Sequence, residues 1–140
     1  MFTIIYNFVI LRKELLDNNP ILKLSFDFSL MLIDYCEQLK QDRKYIVARQ
    51  LLKSGTSIGA NSMESQNSES KPDFIHKIKI AAKEADETQY WLLLCKHSKK
   101  YPDCDVLLQK LEEIQKVLNK IIGTAKRRNP FSYFFSLFIF

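Results

Sequence analysis

The chain has 140 residues, of which 46% are apolar and 26% charged, with only three Gly and four Pro. This composition describes one folded domain large enough for a real core, and it excludes a disordered chain or a β-rich chain of many tight turns. The 21 Lys and Arg against 16 Asp and Glu give a net charge of +5, which permits a polyanionic partner without demanding one.

Residues 1–18 read as an atypical apolar N-terminal extension. Met1 to Leu11 (MFTIIYNFVIL) is too short for a membrane span, which needs about 20 residues. No cationic residue precedes the apolar run and no small-residue cleavage site follows it, so it does not read as a signal peptide. A segment packed on the main body, a disordered one, and a start codon placed too early all stay open.

Four helices are expected between residues 19 and 128. The first opens with Asn19 as cap and Pro20 in the first turn, where a missing amide costs nothing. Leu24, Phe28, Met31, Tyr35 and Leu39 form its inward face, widened by Phe26 and Ile33. Asp42 is read as the cap of the second helix, from Arg43 to Ser65. Val47, Leu51, Ser54, Ile58 and Asn61 step along it by four and three, and Gly55 and Gly59 stand four apart among small residues. Such small side chains let another helix approach closely. Ser54, Ser57 and Asn61 read as space-savers with a buried hydrogen bond; Asn61 with Glu64 reads alternatively as a polar site or subunit contact.

Ser65 to Lys71 is a polar turn. The third helix then runs to His97, with Ser70 as cap, Asp73 completing a capping box and Pro72 in the first turn. Phe74, Ile78, Ala81, Ala85, Thr88, Leu92 and Cys95 alternate spacings of four and three, the seam of a helix aligned with its neighbours. A second stripe holds Ile80, Glu84, Glu87, Trp91 and Leu94. Glu84 and Glu87 share a face and could serve acid–base chemistry or a metal. No Glu-x-x-His occurs in the chain, however, which argues against a di-metal bundle. Pairing with Lys or Arg beside Trp91, within or between subunits, is the reading favoured here.

Cys36, Cys95 and Cys104 are odd in number and lack CxxC spacing, as expected of small apolar fillers in a reducing cytosol. Cys95, His97 and Cys104 make a poor zinc set, because Cys95 lies on the apolar seam and the chain has only two His. Asp103 is expected to cap the fourth helix, whose core stripe is Leu107, Leu111, Ile114, Leu118 and Ile121, broadened by Val117 and Ile122. That helix ends at Gly123 or continues to Asn129-Pro130. Residues 129–140 form an aromatic C-terminal tail behind Lys126, Arg127 and Arg128. Weak membrane-surface attachment, a partner-docking peptide and a frame-shifted end are the readings open for it.

No Gly-rich phosphate loop, HExxH or nucleophile elbow is present, so neither catalysis nor a cofactor or small-molecule substrate is expected. What remains is basic surface. Arg43, Lys44, Arg49 and Lys53 belong to the second helix, Lys77 and Lys83 to the third, and Lys96, Lys99 and Lys100 to its end. Residues 19–129 hold 19 basic and 14 acidic side chains, so the excess belongs to the main body. Such residues contact phosphates rather than read base edges.

The run TSIGAN with Glu64 behind it, followed by SKPDFIHKIKIAAKEADETQYWL, resembles the signature of a bacterial four-helix-bundle family linked to intervening sequences in 23S ribosomal RNA genes. More distantly it is similar to accessory proteins of diversity-generating retroelements. The likeness runs from about Asn19 to about Thr124, and the block from Ser70 to Leu92 is its specific part. The expected fold is therefore all-α, an antiparallel up-down-up-down four-helix bundle. The resemblance also implies a cytoplasmic homo-oligomer, relatives forming rings of five, with structured RNA ahead of DNA as partner. Asn61, Glu64, Glu84, Glu87 and Trp91 are then expected at subunit contacts or as structural polar groups. The rival expectation is a scaffold module that binds a polypeptide such as a reverse transcriptase.

Overall fold

The structure is a computed structural model that describes residues 1–127, the side chains of residues 6–12 aside. Arg128 and the aromatic tail 129–140 lie outside the described residues. Among the described residues, five helices follow one another: α1 (Phe2–Asn18), α2 (Pro20–Gln41), α3 (Tyr45–Ser65), α4 (Lys71–His97) and α5 (Asp105–Arg127). The protein is all-helical, with no strand among the described residues. None of the described helices is long and apolar enough to cross a membrane.

The last four helices close a cycle of contacts, α2 against α3, α3 against α4, α4 against α5 and α5 against α2, while α1 lies against α2. Their apolar faces meet in one core built on Phe28, Leu32, Leu51, Ile58, Ile78, Leu92, Leu111 and Leu118. On α4 the seam is buried at every expected position from Ile78 to Cys95, with Phe74 at its head half-buried. Helix α5 buries Leu107, Leu111, Ile114 and Leu118 as expected, with Ile121 half-buried. Gly123 does not stop α5, which runs on to Arg127.

On α2 the buried face is rotated from the expected one. Ile21, Leu22, Ser25, Phe28, Leu32, Tyr35, Cys36 and Leu39 turn inward, whereas Phe26 and Ile33 remain 48% and 40% exposed. Lys23, Asp27, Asp34, Glu37 and Gln38 form an exposed polar strip along the helix, and Phe26 and Ile33 lie at its edge, so the helical repeat sets them away from the core. On α3, Ala48, Leu51, Ser54, Gly55, Ile58, Ser62 and Ser65 are buried; Val47 and Asn61, expected on the seam, are only half-buried.

Small residues set the α2–α3 spacing. A methyl group added at Gly55 would run into the Leu32 side chain, and one at Gly59 would lie 3.3 Å from the Ser25 hydroxyl oxygen. The glycines thus admit a helix of the same chain. Buried hydroxyls are satisfied within their own helices: Ser25 donates to the Ile21 carbonyl, Ser54 to Gln50 and Ser62 to Ile58. One side-chain bond between hydroxyls joins α4 to α3, from Thr88 to the Ser54 Oγ at 3.0 Å. No buried side-chain polar atom among the described residues lacks a partner.

The helix ends follow two devices. At α4, Ser70 accepts the Asp73 amide at 3.2 Å as expected, but Asp73 answers the Glu69 amide rather than that of Ser70. At α2 the end is a Schellman motif. The Lys44 amide reaches back to the Leu39 carbonyl at 2.8 Å and the Arg43 amide to Lys40 at 3.0 Å. Asp42 is therefore the last residue of this turn, not the cap of the next helix, and α3 is capped by Lys44. Asp103 likewise stands two residues ahead of α5.

Gly55→Ala is expected to destabilise the fold by about 1–3 kcal/mol, since overpacking forces Leu32 and its neighbours to shift. Gly123→Ala meets no atom within 4 Å and should instead stabilise by up to about 1 kcal/mol through helix propensity. Chemical denaturation of both variants followed by circular dichroism checks the contrast.

Candidate nucleic-acid interface

The expected basic residues fall in two places. Arg49 and Lys53 lie exposed on α3, and Lys83 exposed on α4. Lys77, also on α4, is half-buried and paired with Glu64 of α3 at 2.9 Å. That neighbour holds the Lys77 ammonium above its ordinary range through hydrogen bonding and charge. Lys77 and Glu64 are thus brought together, but the pair offers no free charge to a ligand.

Glu84, Glu87 and Trp91 occupy one flank of α4. The Trp91 indole N–H donates to Glu87 at 3.4 Å, and the Trp91 ring meets Tyr90 edge-on at 5.8 Å between centroids. Glu84 is half-buried; burial first, and then the Glu87 charge, raise its carboxyl, with Lys53 opposing them. Lys53 therefore already serves a carboxylate of the neighbouring helix. Asn61 does not face this group: its side-chain amide donates to the Ser57 carbonyl of its own helix at 2.8 Å. No group of three or more His, Cys, Asp or Glu among the described residues is arranged to hold a metal ion.

Arg43 and Lys44 lie elsewhere, in the turn between α2 and α3. Arg43 has φ of 60°, the left-handed conformation that the Schellman motif requires and glycine usually supplies. The Lys44 ammonium sits 5.2 Å above the Tyr101 ring, a cation–π contact that ties this turn to the loop between α4 and α5. A second tie is the Tyr35 hydroxyl, which donates to the Pro102 carbonyl at 2.9 Å. Lys99 and Lys100 sit exposed on the same loop, and Tyr45, first residue of α3, is 58% exposed. Tyr101 was not legible as a site residue, because only the docking of two loops brings it beside Lys44. Tyr45 follows Lys44 directly, but one aromatic at the head of a helix is no signal by itself.

The thiols are elsewhere again. Cys36, Cys95 and Cys104 are all free and buried, whereas His97 is exposed. Burial pushes Cys36 and Cys104 up to about 11, and raises Cys95 as well. Tyr35, inserted among Cys95 and Cys104, is raised first by burial and then by these thiols.

A family model described as 23S rRNA-intervening sequence protein matches residues 17–120. Among solved structures, the chain is similar to the crystal structure of a protein with unknown function from the S23 ribosomal protein family of Bacteroides thetaiotaomicron VPI-5482. The two share 35% identity with a TM-score of 0.70, over 73% of this chain and 97% of that one. No curated protein matches.

The Glu84 carboxyl is raised in the folded state, so its contribution to stability is present below the ordinary value of 4.5 and is lost as pH rises through the raised one. Glu84→Gln should therefore raise the melting temperature at pH 7 and leave it nearly unchanged at pH 4. Thermal melts of both proteins across that range check the sign.

Proposed function

Because the chain belongs to the 23S rRNA-intervening sequence protein family, we propose that it is a non-enzymatic nucleic-acid-binding protein, with structured RNA ahead of DNA as its partner. The observation that carries this reading is the distribution of unpaired cations. Along the flanks, Lys23, Lys40, Lys77, Lys96, Lys110 and Lys116 each hold a carboxylate. Arg43, Arg49 and Lys83 hold none and lie exposed. A nucleic acid whose phosphates meet these side chains would release its own condensed cations, giving affinity that falls steeply with salt and depends weakly on sequence.

The finer architecture in this reading is the antiparallel up-down-up-down bundle. Supporting it, Asn19 at the head of α2 bonds Gln66 beyond the end of α3, Glu64 near the end of α3 pairs with Lys77 near the head of α4, and Lys96 near the end of α4 pairs with Asp105 at the head of α5.

A homo-oligomer, a pentamer in the fullest form of the reading, is favoured by one further feature. Phe26, Leu30 and Ile33 are 48%, 49% and 40% exposed and spaced four and three along α2, so they form one apolar outer stripe. The same stripe supports the second reading, a scaffold that docks another polypeptide. A cytoplasmic location belongs to both.

Binding to a structured RNA at about 50 and 200 mM salt tests the main reading: several phosphate contacts should weaken it by orders of magnitude across that range. Charge reversal at Arg49 and Lys53 should weaken it further at low salt. Glu64→Gln, by releasing Lys77, should strengthen it. Absence of binding at the lower salt would refute the reading, and a monomeric mass in solution would refute the oligomer.

A further inference from the structure

Arg43 occupies a position that the fold would fill better with glycine. A left-handed residue with a side chain costs about 1–2 kcal/mol relative to glycine, and the two backbone bonds that close the turn need no side chain at all. The Arg43 side chain makes no ion pair and is exposed. Structural reasons for an arginine here are therefore absent, and an outlier of this kind points toward a function.

Its surroundings supply one. The Lys44–Tyr101 contact docks the turn of Arg43 and Lys44 onto the loop carrying Lys99 and Lys100, and the Tyr35–Pro102 bond holds α2 against the same loop. Four cations without a carboxylate partner thus share one end of the helical assembly, three of them exposed and Lys44 half-buried against Tyr101. An exposed aromatic residue, Tyr45, follows Lys44 at the head of α3. Opposing charge at this end comes from Asp42 and Asp103; Asp105 is already held by Lys96 at 2.8 Å.

We propose that this end binds single-stranded nucleic acid, with Arg43, Lys44, Lys99 and Lys100 on successive phosphates and Tyr45 stacked on an unpaired base. Cations tracking a backbone beside a ring that accepts any base are the two parts a sequence-tolerant single-strand site needs. Duplex offers the phosphates but keeps its bases stacked, so the ring gives preference to unpaired segments such as the loops of a folded RNA. The proposal rests on the nucleic-acid reading above and places its primary contact at the loops instead of the helix flanks.

Fluorescence anisotropy with a short unstructured RNA, its DNA counterpart and a duplex of equal length tests it. The wild-type chain is expected to bind both single strands more tightly than the duplex. Lys99→Gln with Lys100→Gln should lower the slope of log affinity against log salt by about 1.4, two contacts at 0.7 each. Tyr45→Ala should cost roughly tenfold on the single strands and little on the duplex. Arg43→Gly carries the sharpest contrast: affinity falls while the melting temperature rises, which a merely structural residue cannot produce. If these variants bind as the wild type does while Arg49→Glu with Lys53→Glu lose binding, the end-site proposal is overturned and the flank reading survives. Equal or tighter binding of duplex also overturns it. A wild-type chain that binds no nucleic acid at low salt overturns both.

Discussion

The spacing of α2 and α3 at Gly55 is the constraint on which the remaining geometry depends. Leu32 fills the room that a larger residue at Gly55 would take, and Ser25 sits against Gly59 in the same manner. With α2 this close, α3 presents Ser54 to Thr88 of α4 at hydrogen-bond distance, and Tyr35 reaches the Pro102 carbonyl across to the start of α5. A wider separation would lose more than van der Waals contact between two helices. It would also move the α2–α3 turn away from the α4–α5 loop, and the Lys44–Tyr101 contact with it.

How much of this was legible in the sequence differed by helix. On α4 the apolar and small residues are separated from the charged ones by strict spacing, so periodicity alone identified every buried position from Ile78 to Cys95. On α2 the polar strip of Lys23, Asp27, Asp34, Glu37 and Gln38 is also present. Phe26 and Ile33 are as apolar as Phe28 and Leu32 but border that strip, so the helical repeat, and not apolar character alone, decides which pair faces inward. Boundaries failed for a local reason. Asp42 is a good helix cap by residue type, but the chain uses it to finish α2, because Arg43 accepts a left-handed backbone that residue preferences would reserve for glycine. The polar site was legible in part. Glu64 and Lys77 pair across α3 and α4 and Trp91 donates to Glu87 along α4, while Glu84 stands against the Glu87 charge with Lys53 opposing it. The spacing of residues along a sequence does not say which charges will cancel.

Electrostatics on this surface therefore sort by geometry more than by composition. Pairs such as Lys23–Asp27, Lys40–Glu37 and Lys116–Glu112 lie three or four residues apart on one helix. Exposed pairs of this kind contribute little to the fold. Their larger effect is on the outside field, since each pair is close to neutral at a distance. The net charge of +5 is carried by side chains outside these pairs, although nothing in the count of Lys and Arg distinguishes the paired from the free.

The three buried cysteines give the molecule a chemical property of its own. At an acidity near 11 for Cys36 and Cys104, the reactive thiolate makes up only on the order of one part in ten thousand at neutral pH. Packing thus hides these sulfurs sterically and also silences them as nucleophiles. Alkylating or oxidising reagents would meet a reactive sulfur only in molecules whose helices have separated. The rate at which the native protein consumes a thiol reagent becomes a clock for helix separation, with no label added to the chain.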